Sequence, residues 1–427
     1  MVNKRPDQGV EPVMIAIILL AITYNAILAV INAWIKPLGF TEVAVFEFAI
    51  LIAALGYIMV RGLYREDMIP LAYLGFTVFV ALYMSVANKG FVIEYLRNIL
   101  IIFIFFVAGT RADEKTVRLL FLFAAGLVLA VLMLEIASTP LYGDVFYPMS
   151  YFENTRGLKQ VSFGGSKLFQ NSNHFEGRFS FGIIDHRANS LFLEQVSLSN
   201  FSGILMLYTA SFWTRLKALE RFFFVSLIVL ILTTTDSRTM LIFSAISLFG
   251  YHIFPKIPSR TSLLAMPGAL LLGFVMYVRD PDATGDNFSG RIVLTMKHIF
   301  DMDLLAMLGL RAADAAALAD SGYPYIVYAG TIFGFIALWL FVSLYPVGES
   351  PAQRRCAHGL SFFIFLNLMI GATPVFTIKI AALMWYFIGY MKYSEERSMS
   401  WREEPSSATL APARMREARS ASMRRNA

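Results

Sequence analysis

The stretch TTTDSR at residues 233–238 separates two apolar runs, residues 222–232 and 240–254. An acid and a base therefore stand where a helix enters or leaves hydrocarbon, at a cost of roughly 2.5–3.5 kcal/mol for each charge. Charges at such a depth usually mark a pathway or a site. The alternative is a short turn whose Arg238 reaches the interface along its own methylene groups. We call residues 233–238 the polar junction.

Apolar runs like those beside the junction recur along nearly the whole chain. Hydrophobic residues make up 57% of the 427 residues, charged residues 15%, and the mean hydropathy is +0.61. Runs near the roughly 20 residues that cross a bilayer predict an all-α polytopic membrane protein. The first run, at 12–34, is too long for a signal-peptide core and lacks a clear cleavage site, so we expect a retained span. One membrane domain, residues 1–393, is the simplest organisation.

Twelve spans are predicted, at about 12–34, 41–60, 68–87, 92–110, 117–137, 190–212, 217–234, 238–254, 261–278, 323–345, 357–372 and 376–392. Lys and Arg concentrate in alternate connections, which the positive-inside rule assigns to the cytoplasm together with both termini. The tail at 394–427 is basic and rich in Ser, Ala and Glu. We expect it to be disordered and attached to anionic lipid.

This topology predicts that two long loops, at about 138–189 and 279–322, and the polar junction lie on the outer face. The loops are rich in aromatic and small polar residues, which favours ordered loops packed on the membrane domain. The net charge of +6 reflects basic residues in short connections, so topology explains it better than a nucleic-acid partner does. Cys356 is the only cysteine, which excludes an intramolecular disulfide and a thiolate metal cluster.

The entry to the sixth span carries polar residues at helical spacing. Arg187, Ser190, Glu194 and Ser197 are three, four and three residues apart, which predicts one face of a helix. Arg187 would hold an anion there, while Glu194 orients it or accepts a proton. The alternative is an interfacial Arg187 and a Glu194 that burial or a partner helix neutralises.

The fourth span, the second long loop and the entry to the tenth span also carry charged residues. Glu94 and Arg97, one turn apart in the fourth span, have the spacing of an intrahelical ion pair. The second loop holds Arg291 and Arg311, and Asp320 stands at the entry to the tenth span.

Four arginines are predicted to lie at or outside the outer boundary, beside three acidic residues: Arg187, Arg238, Arg291 and Arg311, with Glu194, Asp236 and Asp320. A guanidinium group stays charged and binds phosphate through two hydrogen bonds. The four arginines therefore suit a lipid-linked phosphate or diphosphate. A neighbouring carboxylate would activate a sugar hydroxyl. Metal-ligand spacing, a phosphate-binding Gly-rich loop followed by Lys, and a nucleophile elbow are absent from the sequence.

Four motifs in residues 185–340 resemble the superfamily of bacterial O-antigen ligases and Wzy-type polysaccharide polymerases. They are Arg187 to Phe201, Asp236-Ser237-Arg238-Thr239, Ser289-Gly290-Arg291, and Asp320-Ser321-Gly322-Tyr323 followed by Gly330 and Gly334. The first is similar to a stretch of exopolysaccharide polymerases. Ligases typically place a His-Asn pair where this chain has Asp320 and Ser321, and this departure favours a polymerase.

The resemblance implies a GT-C-like membrane fold and metal-independent glycosyl transfer from undecaprenyl diphosphate, without a cofactor, at the outer leaflet of a bacterial inner membrane. The arginines would bind the diphosphate. The general base stays open among Asp320, Glu194 and Asp236. A chain-length regulator is an expected partner of such a polymerase. The alternatives are an O-antigen ligase and, from another class, a lipid-linked oligosaccharide flippase or other transporter.

Overall fold

The computed structural model describes residues 11–157, 166–173, 179–283, 288–318, 320–371 and 373–402. Within these ranges the structure is helical, and the one strand-like pairing is an isolated bridge between Asn173 and His186. The prediction of an all-α fold is therefore confirmed. Contacts divide the chain into two units, Met1–Lys392 and Tyr393–Ala427. Residues 403–427 of the predicted tail lie outside the described residues.

A helix coincides with each predicted span. The first half of the chain forms α1 (Pro12–Trp34), α2 (Phe40–Arg61), α3 (Met68–Ala87), α4 (Glu94–Gly109), α5 (Glu114–Ala137), α6 (Thr139–Phe146), α7 (Pro148–Arg156) and α8 (Gln195–Phe212). The second half forms α9 (Ala218–Thr235), α10 (Arg238–Ile253), α11 (Ala265–Arg279), α12 (Phe288–Phe300), α13 (Leu304–Met307), α14 (Gly322–Leu344), α15 (Pro351–Asn367), α16 (Thr373–Phe376) and α17 (Ile378–Arg402).

Membrane-crossing capacity is not equal among these helices. In the described part of the chain, seven are long and apolar enough to span a membrane: Pro12–Trp34, Phe40–Arg61, Arg65–Ala87, Glu114–Ala137, Ala218–Thr235, Ser259–Arg279 and Gly322–Leu344. Helices α4 and α10 have 16 residues each, which is short for a full crossing. The structure therefore supports a membrane protein by the length and composition of its helices.

The start of α15 differs from the predicted 357. Pro351 occupies the first turn, Ser350 Oγ accepts a hydrogen bond from Gln353 N (3.1 Å), and the Gln353 side chain accepts one from Ser350 N. This capping box begins the helix six residues before hydrophobicity rises. Hydropathy alone missed this start because Gln353, Arg354 and Arg355 are polar.

Helices α4 and α17 form the centre of the fold. Residues 378–388 of α17 are almost completely buried. A Cβ at Gly109 would lie 2.0 Å from Tyr386 O, and one at Gly389 would lie 2.0 Å from Phe106 O. The two glycines thus let the backbones of α4 and α17 touch, as small residues do in packed membrane helices.

Helix α14 contains a break beside two motif glycines. Thr331 has φ 67° and ψ 165°, which is outside helical space for a β-branched residue. A Cβ at Gly330 would lie 2.5 Å from the Tyr95 ring, and one at Gly334 would lie 3.0 Å from it. Tyr95 also donates to Gly334 O (2.6 Å). The glycine pair therefore forms a notch for Tyr95, which is a packing reason for this motif.

The segment at 138–189 packs on the helices through α6 and α7. Tyr142 of α6 donates to Ser190 O (2.8 Å), and Tyr151 of α7 donates to Asn25 Oδ1 of α1 (2.9 Å). Both tyrosines are buried, and burial raises the pKa of each phenol well above its ordinary value. Nearby Arg156 only partly offsets this rise at Tyr151. Both phenols therefore remain hydrogen-bond donors that anchor the segment.

Candidate functional site

Glu135, near the end of α5, fixes the segment that carries Arg187. Its buried carboxylate accepts hydrogen bonds from Asn189 N (2.9 Å), Asn189 Nδ2 (3.0 Å) and Ser190 N (2.7 Å). The His186 Nε2 lies 3.1 Å from the same carboxylate. Hydrogen bonds to a charged acceptor are worth about 1.5–3 kcal/mol each, so Glu135 sets the path of residues 186–190.

The polar junction comprises the end of α9, a sharp turn and the first residue of α10. Thr235 ends α9, and Asp236 takes a left-handed conformation (φ 52°) that Asp tolerates better than most residues. Ser237 then caps α10 by accepting from Met240 N (3.4 Å). Arg238 is consequently the first residue of α10, at the positive end of its dipole.

Residues 187–188 lie directly on the end of α9. Ala188 N donates to Thr234 O (2.9 Å), and Arg187 Nε donates to Thr235 O (2.8 Å). Carbonyls in the last turn of a helix lack partners within it, and Arg187 satisfies one of them. Arg187 is therefore positioned at the junction by two adjoining backbone contacts.

Residues 179–181 cover the junction from a second direction. Phe181 N donates to Asp236 Oδ1 (2.8 Å), and the guanidinium of Arg238 lies 5.8 Å from the centre of the Phe179 ring. Arg238 forms no ion pair with any acidic residue that the structure describes. The structure thus brings together three of the predicted site residues, which we call the junction cluster: Arg187, Asp236 and Arg238.

The predicted helical face from Arg187 to Ser197 is wrong. Helix α8 begins only at Gln195, Leu193 is left-handed (φ 60°), and Glu194 is extended at the helix N-cap. The hydrogen bonds to α5 and α9 hold the preceding residues in a path that a continuous helix would break. Tertiary contacts have overridden the periodicity of the sequence.

Glu194 lies in a buried ion cluster instead. Its Oε1 is 2.5 Å from Lys379 Nζ and accepts from Ser197 Oγ (2.6 Å), and its Oε2 is 3.1 Å from Arg156. Lys379 is 1% exposed and also lies near Phe192 O (3.4 Å). Two cations and a hydroxyl stabilise the ionised carboxylate, which makes Glu194 a poor general base. Its observed contacts tie α7, α8 and α17 together.

The predicted pairing of Glu94 with Arg97 is also wrong. Arg97 of α4 pairs with Glu47 of α2, which also accepts from Tyr24 OH (2.5 Å). Glu94 instead accepts from Tyr325 OH of α14 (2.6 Å). Both side chains therefore have their partners on other helices, and they link α4 to α2 and α14.

The segment at 279–322, which we call the second long segment, holds the remaining predicted residues. Arg291 NH1 lies 3.8 Å from Asp320 Oδ1, and their side chains are 35% and 79% exposed. Arg311 pairs with Asp303 (2.8 Å), and these side chains are 47% and 40% exposed. The contacts therefore place Arg291 with Asp320, and Arg311 in a separate exposed pair.

Several residues of these clusters have no clear signal in the sequence. Glu135, Arg156, Glu47 and Lys379 each contact a partner more than thirty residues away. The signal that was available is a charge inside or beside an apolar run, as for Lys379 at residues 375–391.

The charged groups suit anion binding better than metal binding. No group of three or more His, Cys, Asp or Glu able to hold a metal occurs among the described residues. The junction cluster offers two guanidinium groups at the N-terminus of a 16-residue helix, where backbone N–H groups and the dipole also favour an anion. No family model, curated protein or solved structure matches this chain.

Proposed function

We propose that the protein polymerises undecaprenyl-diphosphate-linked oligosaccharide repeat units of an exopolysaccharide or O-antigen at the outer face of a bacterial inner membrane. The observation that carries this proposal is the junction cluster. Arg238 has no acidic partner among the described residues, and Arg187 contacts the carbonyl of Thr235, three residues before it in the chain. Two guanidinium groups and a helix N-terminus suit a diphosphate, and the motif order of the sequence resembles polymerases.

In this proposal the molecule has twelve spans, a GT-C-like fold and both termini in the cytoplasm. The segments 138–189 and 279–322 then share the outer face with the polar junction. A chain-length regulator would act on the same face. Membrane lipids surround the helices, and the lipid-linked oligosaccharide is the substrate.

Each transfer breaks the bond between the anomeric carbon of the growing chain and its diphosphate oxygen. The acceptor hydroxyl of a second lipid-linked repeat unit forms the new glycosidic bond, and its proton passes to a carboxylate. Asp320 is the best-supported base, because it is exposed while Glu194 is held by two cations. Asp236 already accepts from Phe181 N. Arg187, Arg238, Arg291 and Arg311 bind the diphosphates and stabilise the departing charge.

Replacement of Arg238 or Arg291 by Ala in cells tests this function. We expect repeat units to be made but not lengthened, because the leaving diphosphate loses a charge-assisted partner. Arg279→Ala, an exposed arginine at the end of α11, is the control and should give normal polymer. Normal long polymer in both Arg238→Ala and Arg291→Ala would contradict the proposal.

A lipid-linked oligosaccharide flippase is the second candidate. The buried pair of Lys379 and Glu194 favours it, because intramembrane charges often line transport paths. Lengthened product from purified protein separates a polymerase from a flippase. Addition of a lipid A acceptor to the same reaction separates a polymerase from an O-antigen ligase.

A further inference from the structure

Helices α5 and α9 are joined at both of their ends. At one end, Arg118 of α5 donates from Nε to Glu220 of α9 (2.7 Å) and pairs with it through a second nitrogen. At the other end, residues 188–189 bridge the helices, because Asn189 N donates to Glu135 and Ala188 N donates to the α9 carbonyl of residue 234. The spacing between the two helices is therefore fixed by polar contacts rather than by close packing along their length.

An open apolar groove runs from the first bridge toward the second. It has a volume of about 570 Å³. Its walls extend along α9 from Leu219 and Glu220, through Ser226, to Leu230, and include Leu122 and Leu129 from α5. Both helices are apolar and long enough to cross a membrane. The groove therefore faces hydrocarbon and suits an apolar chain lying parallel to the helices.

The groove leads to the junction cluster along a single helix. Leu230 and Thr235 both belong to α9, and five residues of helix span roughly 7.5 Å. Arg187 contacts the carbonyl of Thr235, and Arg238 begins the next helix. An amphipathic ligand with an apolar tail in the groove would thus carry its anionic head to two guanidinium groups.

We infer that this groove binds the polyprenyl chain of the lipid diphosphate, beyond the isoprene units that join the chain to the diphosphate. The inference rests on the proposed function for the chemistry of the substrate and adds the site of its tail. A polyprenyl diphosphate matches the surface because it combines one apolar chain with a head of several negative charges. An ordinary phospholipid has two chains and one phosphate, which fits one groove and two arginines less well.

Binding of undecaprenyl diphosphate to the purified full chain in nanodiscs tests the inference, with inorganic diphosphate as the head-only probe. Ser226→Trp fills the groove from α9, and Leu129→Trp fills it from α5. The matched control is Val229→Trp, which is exposed on the same helix and does not line the groove. Elution as a single species and an unchanged melting temperature show that each variant is folded.

We expect Ser226→Trp and Leu129→Trp to weaken undecaprenyl diphosphate binding at least about tenfold, because they displace apolar chain from the groove. Val229→Trp should change it little, and inorganic diphosphate should bind all four proteins equally. If Arg238→Ala weakens binding but both groove variants bind normally, the groove inference is overturned and the proposed function stands. If phosphatidylglycerol competes equally with undecaprenyl diphosphate, the groove holds ordinary lipid. Failure of the parent protein to bind undecaprenyl diphosphate overturns both proposals.

Discussion

The junction cluster and the second long segment present arginines in contrasting ways. Arg187 is fixed by contacts to the end of α9, and the buried carboxylate of Glu135 holds the segment that carries it. Arg291 and Asp320 are exposed and 3.8 Å apart. A group held by several buried contacts is suited to binding a ligand in one geometry. An exposed carboxylate is free to meet an acceptor. In the proposed function the two regions therefore divide the roles: the junction cluster holds a diphosphate in one geometry, whereas the second long segment supplies the carboxylate for proton transfer beside Arg291.

Asp320→Asn should have the largest effect on catalysis. Loss of a general base costs about 10³-fold in rate, whereas the melting temperature should not change because the Asp320 side chain is 79% exposed. Polymerisation rate and thermal unfolding of purified protein measure the two quantities. A fully active Asp320→Asn would remove Asp320 from the chemistry and end the proposed division.

Lys379→Met should affect stability more than chemistry. It leaves the buried Glu194 carboxylate without its closest cation, and breaking a buried ion pair costs about 3–5 kcal/mol. Thermal unfolding in detergent should show the loss. The double variant Lys379→Met with Glu194→Met should regain much of it, because no buried charge is left alone. A stable but inactive Lys379→Met would instead place Lys379 in the reaction.

Glu135→Gln should loosen the junction cluster. The amide keeps one acceptor but turns an N–H group toward the donors of Asn189 and Ser190, at a cost of about 2–3 kcal/mol. Stability and polymer length should fall together, because Arg187 loses its support. Glu153→Gln, an exposed glutamate of α7, is the control. Unchanged stability of Glu135→Gln would show that the hydrogen bonds to Glu135 do not fix residues 186–190.

Arg311→Ala should have the smallest effect on stability. Its pair with Asp303 is exposed on both sides, and such pairs contribute about 0.2–1 kcal/mol. The expected consequence is a higher KM for the lipid-linked substrate with little change in melting temperature. A loss of kcat as large as that of Asp320→Asn would show that Arg311 acts together with Asp320 during the reaction.

Hydropathy predicts the helices of this protein because each helix satisfies its backbone hydrogen bonds internally, so that an apolar stretch of sufficient length can form one. Most observed helix bounds, such as Met68–Ala87, lie within a few residues of the predicted ones. The capping signal at Ser350 and the contacts of residues 187–194 explain two of the larger differences. Hydropathy does not detect a helix start that is set by polar residues.

The site was less predictable than the helices. The sequence places Arg187 and Arg238 at the ends of different apolar runs, and the structure joins them through α9. The sequence does not indicate that Glu194 pairs with Lys379, 185 residues away. Spacing along one helix is informative only when the helix exists, and here Leu193 interrupts it. Partners between distant helices depend on packing, which periodicity does not encode.

Polymerisation by the purified full chain tests the central claim most directly. The substrate is a synthetic undecaprenyl-diphosphate-linked repeat unit, supplied with and without EDTA, and the readouts are a ladder of product lengths and released undecaprenyl diphosphate. We predict a ladder in both conditions, one undecaprenyl diphosphate released for each new bond, and neither from Arg187→Ala with Arg238→Ala. Repeat units that cross the membrane unchanged, with no lengthened product and no released diphosphate, would contradict the account.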